Sequence, residues 1–131
     1  MEFPDNVKYT KEHEWVRLED DGSVTIGITD YAQQQLGDIV YVELPEVDLE
    51  VQQMDPIGTI EAVKTVAELF SPVSGTIVEI NEAIMEDPET VNNSPMQDGW
   101  FVKIKMDDPG ELEVLFDYDE YQEFLGEQAE G

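Results

Sequence analysis

Gly58-Thr59-Ile60-Glu61-Ala62-Val63-Lys64-Thr65-Val66-Ala67-Glu68-Leu69-Phe70-Ser71-Pro72-Val73-Ser74-Gly75 is the stretch on which the reading of this chain turns. It contains Lys64, the one Lys or Arg between Arg17 and Lys103. Two similar apolar segments flank it, Pro56-Ile57-Gly58-Thr59-Ile60 and Pro72-Val73-Ser74-Gly75-Thr76-Ile77. Ile60, Val63, Ala67 and Phe70 also fall at helical spacing, and Glu61 three residues before Lys64 would suit a helix turn. The Gly58-Thr59 start, the Ser71-Pro72 and Ser74-Gly75 breakers and the β-branched Thr65-Val66 fit two short strands around a turn better. The lysine then stands at the bend of a hairpin, Ile57 to Val63 and Thr65 to Phe70. A lysine displayed there is a point charge on a flexible stem, open to modification.

Working outward, Glu14 to Leu18 alternates as a strand, and Val24 to Ile28 pairs back across an Asp21-Gly22 turn. Thr29 or Asp30 caps a short helix, Tyr31 to Leu36, ended by Gly37. Asp38 to Leu44 is a strand closed by Pro45, and Val51 to Asp55 a tight turn. Gly75 to Asn81 is a strand matching Asp38 to Leu44 in the weak repeat. Glu82 to Met85 is a short helical or irregular piece, and Glu86 to Asp98 a polar loop. Trp100 to Met106 alternates and closes the sheet. Residues 1–10 form an arm that gains order toward Tyr9. After Pro109 the period becomes helical, with Leu112, Leu115, Phe116, Tyr121, Phe124 and Leu125 on one side and a break near Asp117. The result is a mainly β chain, a small flattened barrel or sandwich with short helices. The whole of residues 1–131 is one domain, with a core of about 9–106 and a helical tail of about 109–126.

Charge narrows the function. Six Lys plus Arg stand against 32 Asp plus Glu, a formal net charge of −26. Phosphate-rich partners such as nucleic acid or anionic membrane are repelled by such a surface. From Asp107 onward there are ten acids and no base, the pattern of a solvated helix face. The chain has no Cys, so any thiol chemistry must come from a prosthetic group. No apolar run reaches bilayer-spanning length. Met1 to Asp5 is neither a basic signal start nor an arginine-rich transit peptide, so the expected location is cytoplasmic, or a mature organellar form. His13, without a Cys, Ser or ligand set beside it, reads as a packing residue.

Glu61-Ala62-Val63-Lys64 followed by Ser71-Pro72-Val73-Ser74-Gly75 resembles the attachment hairpin of biotinyl and lipoyl carrier domains. The chain as a whole resembles the H proteins of the glycine cleavage system. The resemblance is carried by Lys8 to Val16, by Gly27 to Pro45, and by Val91-Asn92-Asn93-Ser94-Pro95 with Asp98-Gly99-Trp100. It implies the lipoyl-domain architecture, or barrel-sandwich hybrid. It also implies lipoic acid in amide linkage to Lys64, as N6-lipoyllysine. Glu61 then matches the acid read by the lipoate-attaching enzyme, and Gly75 a glycine that fixes hairpin geometry. Glu14 and Glu68 lie near the groove that holds the aminomethyl arm, and Glu12, where the family often has a small hydroxyl residue, makes that groove more acidic. Met54 stands where the family usually has glycine, implying a local change of turn type.

The resemblance implies a non-catalytic monomer that shuttles between enzymes. A pyridoxal-phosphate glycine decarboxylase loads the arm, a tetrahydrofolate-dependent aminomethyltransferase unloads it, and dihydrolipoyl dehydrogenase reoxidises it. A biotin carrier fits less well, since Val63 and Thr65 stand where that family has Met. A lipoyl domain of a 2-oxoacid dehydrogenase would be followed by linkers and further domains. An independent enzyme lacks a nucleophile–base pair, a phosphate loop and a metal constellation. An unmodified interaction protein leaves the intact lysine setting unexplained. The acidity exceeds what a carrier needs and suits a saline cytosol. Self-repulsion on this scale is relieved by screening, so the melting temperature is expected to rise with added salt in a thermal scan. A flat response would remove that explanation.

Overall fold

The computed structural model describes residues 7–130, of which 127–130 are described by backbone alone. Residues 1–6 of the expected arm lie outside the described residues. The chain forms two antiparallel sheets. The larger has six strands in the order β1 (Val7–Tyr9), β2 (Glu14–Leu18), β3 (Ser23–Ile28), β9 (Val102–Met106), β8 (Gly75–Ile80), β5 (Glu50–Val51). The smaller has three, ordered β4 (Ile39–Glu43), β6 (Pro56–Ala62), β7 (Val66–Phe70). The two sheets are separate, so the fold is the sandwich of the expectation and not a closed barrel. The two halves of the weak repeat fall on β6 and β8, in opposite sheets. Between the sheets lie Val24, Ile26, Ile39, Val42, Ile60, Leu69, Ile77 and Ile104, each almost inaccessible to water.

Local chemistry sets the elements. Thr29 caps α1 (Asp30–Leu36), its hydroxyl accepting from the Ala32 N–H, and Gly37 ends the helix at φ 79°. Asp117 caps α4 (Tyr118–Glu130) reciprocally. Its carboxylate accepts from the Glu120 N–H at 2.8 Å, and Glu120 accepts from the Asp117 N–H at 3.0 Å. The break expected near Asp117 is therefore a cap, preceded by a 3₁₀ segment, Pro109–Val114. Phe116 between them bridges back to Tyr9, each N–H reaching the other's carbonyl at 2.8 Å. This anchors the tail beside a second cluster of Val7, Tyr9, Trp15 and Tyr121. No helix among the described residues is long and apolar enough to cross a membrane.

Four local expectations are corrected. The arm is a strand from Val7, paired to β2 with Tyr9 opposite Trp15. Within the stretch expected as a polar loop, Glu89–Asn93 is a helix, α3, that buries Val91, after a single turn, α2 (Ala83–Glu86). Trp100 and Phe101 precede the last strand, which starts at Val102. The bend before β6 keeps a glycine-type backbone. Asp55 N–H donates to the Gln52 carbonyl at 3.0 Å, and Met54 sits at φ 74°. That is the geometry of a type II turn, whose third position favours glycine. Met54 has not changed the turn; it occupies a left-handed conformation that costs an L side chain about 1–2 kcal/mol. Its side chain is more than half exposed and loses little on removal. Met54→Gly is expected to raise stability by about 0.5–1 kcal/mol, once the extra unfolded-state entropy of glycine is subtracted. Urea denaturation of the two proteins measures it, and a destabilised glycine variant would refute the strain.

Candidate functional site

Lys64 stands between β6 and β7, exposed, at a three-residue connection. The Ala62 N–H donates to the Thr65 carbonyl at 2.8 Å and closes the turn. The Val63 N–H donates to the Asp38 carbonyl at 3.0 Å, tying the turn to the start of β4. The lysine is thus mounted on a braced backbone while its side chain faces water. It forms no ion pair among the described residues, and in particular none with Glu61.

Register places the surrounding residues. Cross-strand partners share a face, so Tyr41, Glu61 and Val66 form one row across the outward side of the small sheet. Glu43, Thr59 and Glu68 form the next. Glu68 is exposed and lines a shallow hollow of about 280 Å³ with Leu44, Leu49 and Pro56. Around Lys64 the sheet exposes an unusual amount of apolar surface, with Val63 69%, Val66 61%, Val40 55% and Tyr41 47% accessible. Sequence reading missed Val40 and Tyr41 as part of the site. Their exposure follows from the register shift between Ile39 and Tyr41, which strand periodicity does not reveal.

Gly75 belongs to β8, opposite Met106 and Val51, and not to the lysine hairpin itself. A Cβ there would lie 2.1 Å from the Lys105 carbonyl oxygen, so no side chain fits. Its bearing on the hairpin passes through the Ser71–Ser74 connection. That connection is pinned by Ser71 N–H to the Asp55 carbonyl at 2.8 Å, and by Ser74 N–H to Glu111 Oε1 at 2.7 Å.

Glu14 is buried, only 2% accessible. Its Oε2 accepts from the Phe70 N–H at 2.6 Å and its Oε1 from the Thr10 hydroxyl at 3.1 Å. The same hydroxyl accepts from the N–H groups of Glu12 and Glu14, each at 3.1 Å. Glu14 therefore joins β2 of one sheet to the end of β7 in the other. His13, beside it, has φ 65° and a packing role, its Nδ1 lying 2.9 Å from the Tyr121 hydroxyl. Burial lowers its pKa, against a smaller opposing pull from Glu12.

Burial pushes the Glu14 pKa up to about 8, outweighing the two hydrogen bonds that favour the carboxylate. An acid whose folded pKa is raised stabilises fully below its unfolded pKa, near the usual glutamate value, and loses that contribution as pH rises through about 8. Unfolding free energy is expected to fall between about pH 5 and pH 8 in wild type. The Glu14→Gln variant, which cannot ionise, is expected to show a shallower fall in urea titrations over the same window. Equal slopes would exclude Glu14 as the titrating group.

Comparison with known proteins agrees with this arrangement. Residues 7–128 match the family model described as Glycine cleavage H-protein. A glycine cleavage system H protein of Staphylococcus carnosus is 52% identical over 127 residues, covering 97% of this chain and all of that one. One from Staphylococcus haemolyticus is 53% identical over the same span. The crystal structure of a glycine cleavage system H protein from Mycobacterium marinum superposes with a TM-score of 0.84 at 35% identity, covering 97% of this chain and 99% of that one. A braced, outward lysine on a two-sheet sandwich, matched along nearly the whole chain, places this protein in the glycine cleavage H-protein family.

Proposed function

We propose that this protein is the lipoyl carrier of a glycine cleavage system, with Lys64 as the residue that takes lipoate in amide linkage. The observation that carries the reading is the exposed, unpaired Lys64 on a turn braced by the Asp38 carbonyl. Such a lysine fits acylation. Its amine is accessible, its backbone is fixed, and loss of its charge breaks no ion pair within the described residues. Held in amide linkage by Lys64, the lipoyl group would supply the dithiol chemistry that a chain without cysteine lacks.

The remaining residues act by position and charge. Glu61, three residues before the lysine and on the outward row, is the acid offered to the attaching enzyme. The exposed Val40, Tyr41, Val63 and Val66 form an apolar collar against which an enzyme rim can close. Glu68 is the exposed carboxylate assigned to the aminomethyl arm, whose amine is cationic at neutral pH. Opposite charge favours that form. Glu14, with both oxygens engaged, supports the groove from below. Gly75 holds β8 against β9, and through it the connection behind the hairpin. The partners are glycine decarboxylase, the aminomethyltransferase, dihydrolipoyl dehydrogenase and a lipoate-attaching enzyme, and the protein itself catalyses no step. Its setting is cytoplasmic.

Intact mass with fragmentation tests the assignment. Incubation with a lipoate ligase, lipoate and ATP is expected to add one lipoyl group, located on Lys64 and absent from Lys64→Arg. The Glu61→Gln protein, at an exposed position, is expected to keep its melting temperature and lose about tenfold in kcat/KM for attachment, the value of about 1.4 kcal/mol of recognition. A biotinyl adduct, or no adduct under conditions that modify a control carrier, would overturn the reading.

A further inference from the structure

Lined by residues of β1, α1 and α4 lies a cavity of about 320 Å³ that the carrier reading does not use. Four tyrosines line it, Tyr9, Tyr31, Tyr118 and Tyr121, together with Met96 and Asp30. We infer that this cavity is a binding site for a small organic ammonium ion. None of its described lining residues belongs to the lysine hairpin, so the site is independent of the arm.

The chemistry of the walls selects the ligand. Tyr9 and Tyr121 stack at 4.9 Å with an interplanar angle of 9°, and Tyr118 meets Tyr9 edge-on at 6.1 Å. Both stacked rings are nearly buried, while Tyr31 and Tyr118 are partly exposed. Tyrosine faces attract cations through the ring quadrupole, most strongly where water is excluded. The described lining carries one acid, Asp30, and no Lys, Arg or His. An anion would meet a carboxylate and electron-rich rings on a chain of net charge −26, and a neutral ligand would gain apolar contact but no charge attraction.

The cation-capable ring nearest the described lining is His13. His13 meets Tyr31 at 4.8 Å with the rings tilted by 46°, but burial keeps its pKa below the ordinary value. Burial pushes the phenols of Tyr9 and Tyr121 up to about 12, so both remain neutral rings at any physiological pH. The Tyr9 hydroxyl is the one buried side-chain polar atom without a hydrogen-bond partner among the described residues. A wall with an unmet hydrogen-bonding oxygen is common at a site and costly in a pure core. At about 320 Å³ the cavity has volume for a choline-sized cation.

Choline is the probe, with neohexyl alcohol as its uncharged isostere. Ring signals of tyrosine-labelled protein are followed by NMR at about 1 M salt, where a Debye length of about 3 Å removes general attraction to the acidic surface. Choline is expected to shift the Tyr31 and Tyr118 signals saturably, and the isostere to bind at least about tenfold more weakly. Asp30→Asn, at an exposed position, is expected to weaken choline by about threefold or more, and Tyr118→Ala by about tenfold or more. Absence of saturation, equal binding of the isostere, or unchanged affinity in a folded Tyr118→Ala protein would overturn the inference. Should Tyr118→Ala loosen the helix, unchanged affinity in Asp30→Asn would overturn it instead.

Discussion

The two sheets are separate hydrogen-bonded systems, and a buried carboxyl group joins them. Glu14 leaves β2 of the large sheet and accepts the Phe70 N–H at the end of β7 in the small one. Without it that N–H would be a buried donor with no strand to answer it, a loss of about 1–3 kcal/mol. The hairpin that carries Lys64 ends at Phe70, so its seat depends on an acid from the other sheet. Thr10 holds that acid in place while satisfying two backbone N–H groups of its own loop. A hydrocarbon of the same size would pack as well and leave Phe70 N–H unpaired.

Much of this was legible in the sequence, for identifiable reasons. Strong local signals gave the hairpin, α1 and the helical tail. They were Pro72 and Ser74-Gly75 after the lysine, Thr29 and Gly37 bracketing a helix, and the change of period after Pro109. The resemblance gave the family. What sequence reading lost was short or long-range. β5 has two residues and exists because β8 passes beside it. α3 sits between Pro88 and Ser94-Pro95, where breakers suggested loop, and is held by Val91 in the core. Asn92 was visible only as part of a motif, and its bracing contacts were not. Its side chain receives the Ile39 N–H and donates to the Gly37 carbonyl, locking the corner from α1 into β4.

The site was legible unevenly for the same reason. Lys64 announced itself by charge and by the bend. Glu14 and Glu68 look equivalent in sequence, two acids near one arm, but the fold separates them. One is an inward bracket, the other an outward carboxylate beside Glu43 and Thr59. Alternation along β7 already puts Glu68 on the opposite face from Leu69. Nothing local told that Glu14 would be inaccessible, because its burial is made by the Thr10 turn and by β7, 56 residues away.

Acidity and apolar exposure are complementary around the lysine. Like-charge repulsion between copies of so acidic a chain opposes contact through the exposed Val40, Tyr41, Val63 and Val66 around the tip. Lys64 is the single fixed positive charge on the small sheet, and the acylation proposed for it would remove that charge. The collar then becomes an apolar rim with Glu61 at its centre and Glu43 and Glu68 beyond. A partner that pairs with Glu61 by a basic residue therefore meets less electrostatic opposition after modification than before. Because exposed pairs contribute only about 0–1 kcal/mol, the apolar collar supplies contact and the charges supply orientation. Such a surface suits the shuttle proposed above, which requires loose docking on several enzymes in turn and would be blocked by a tight complex.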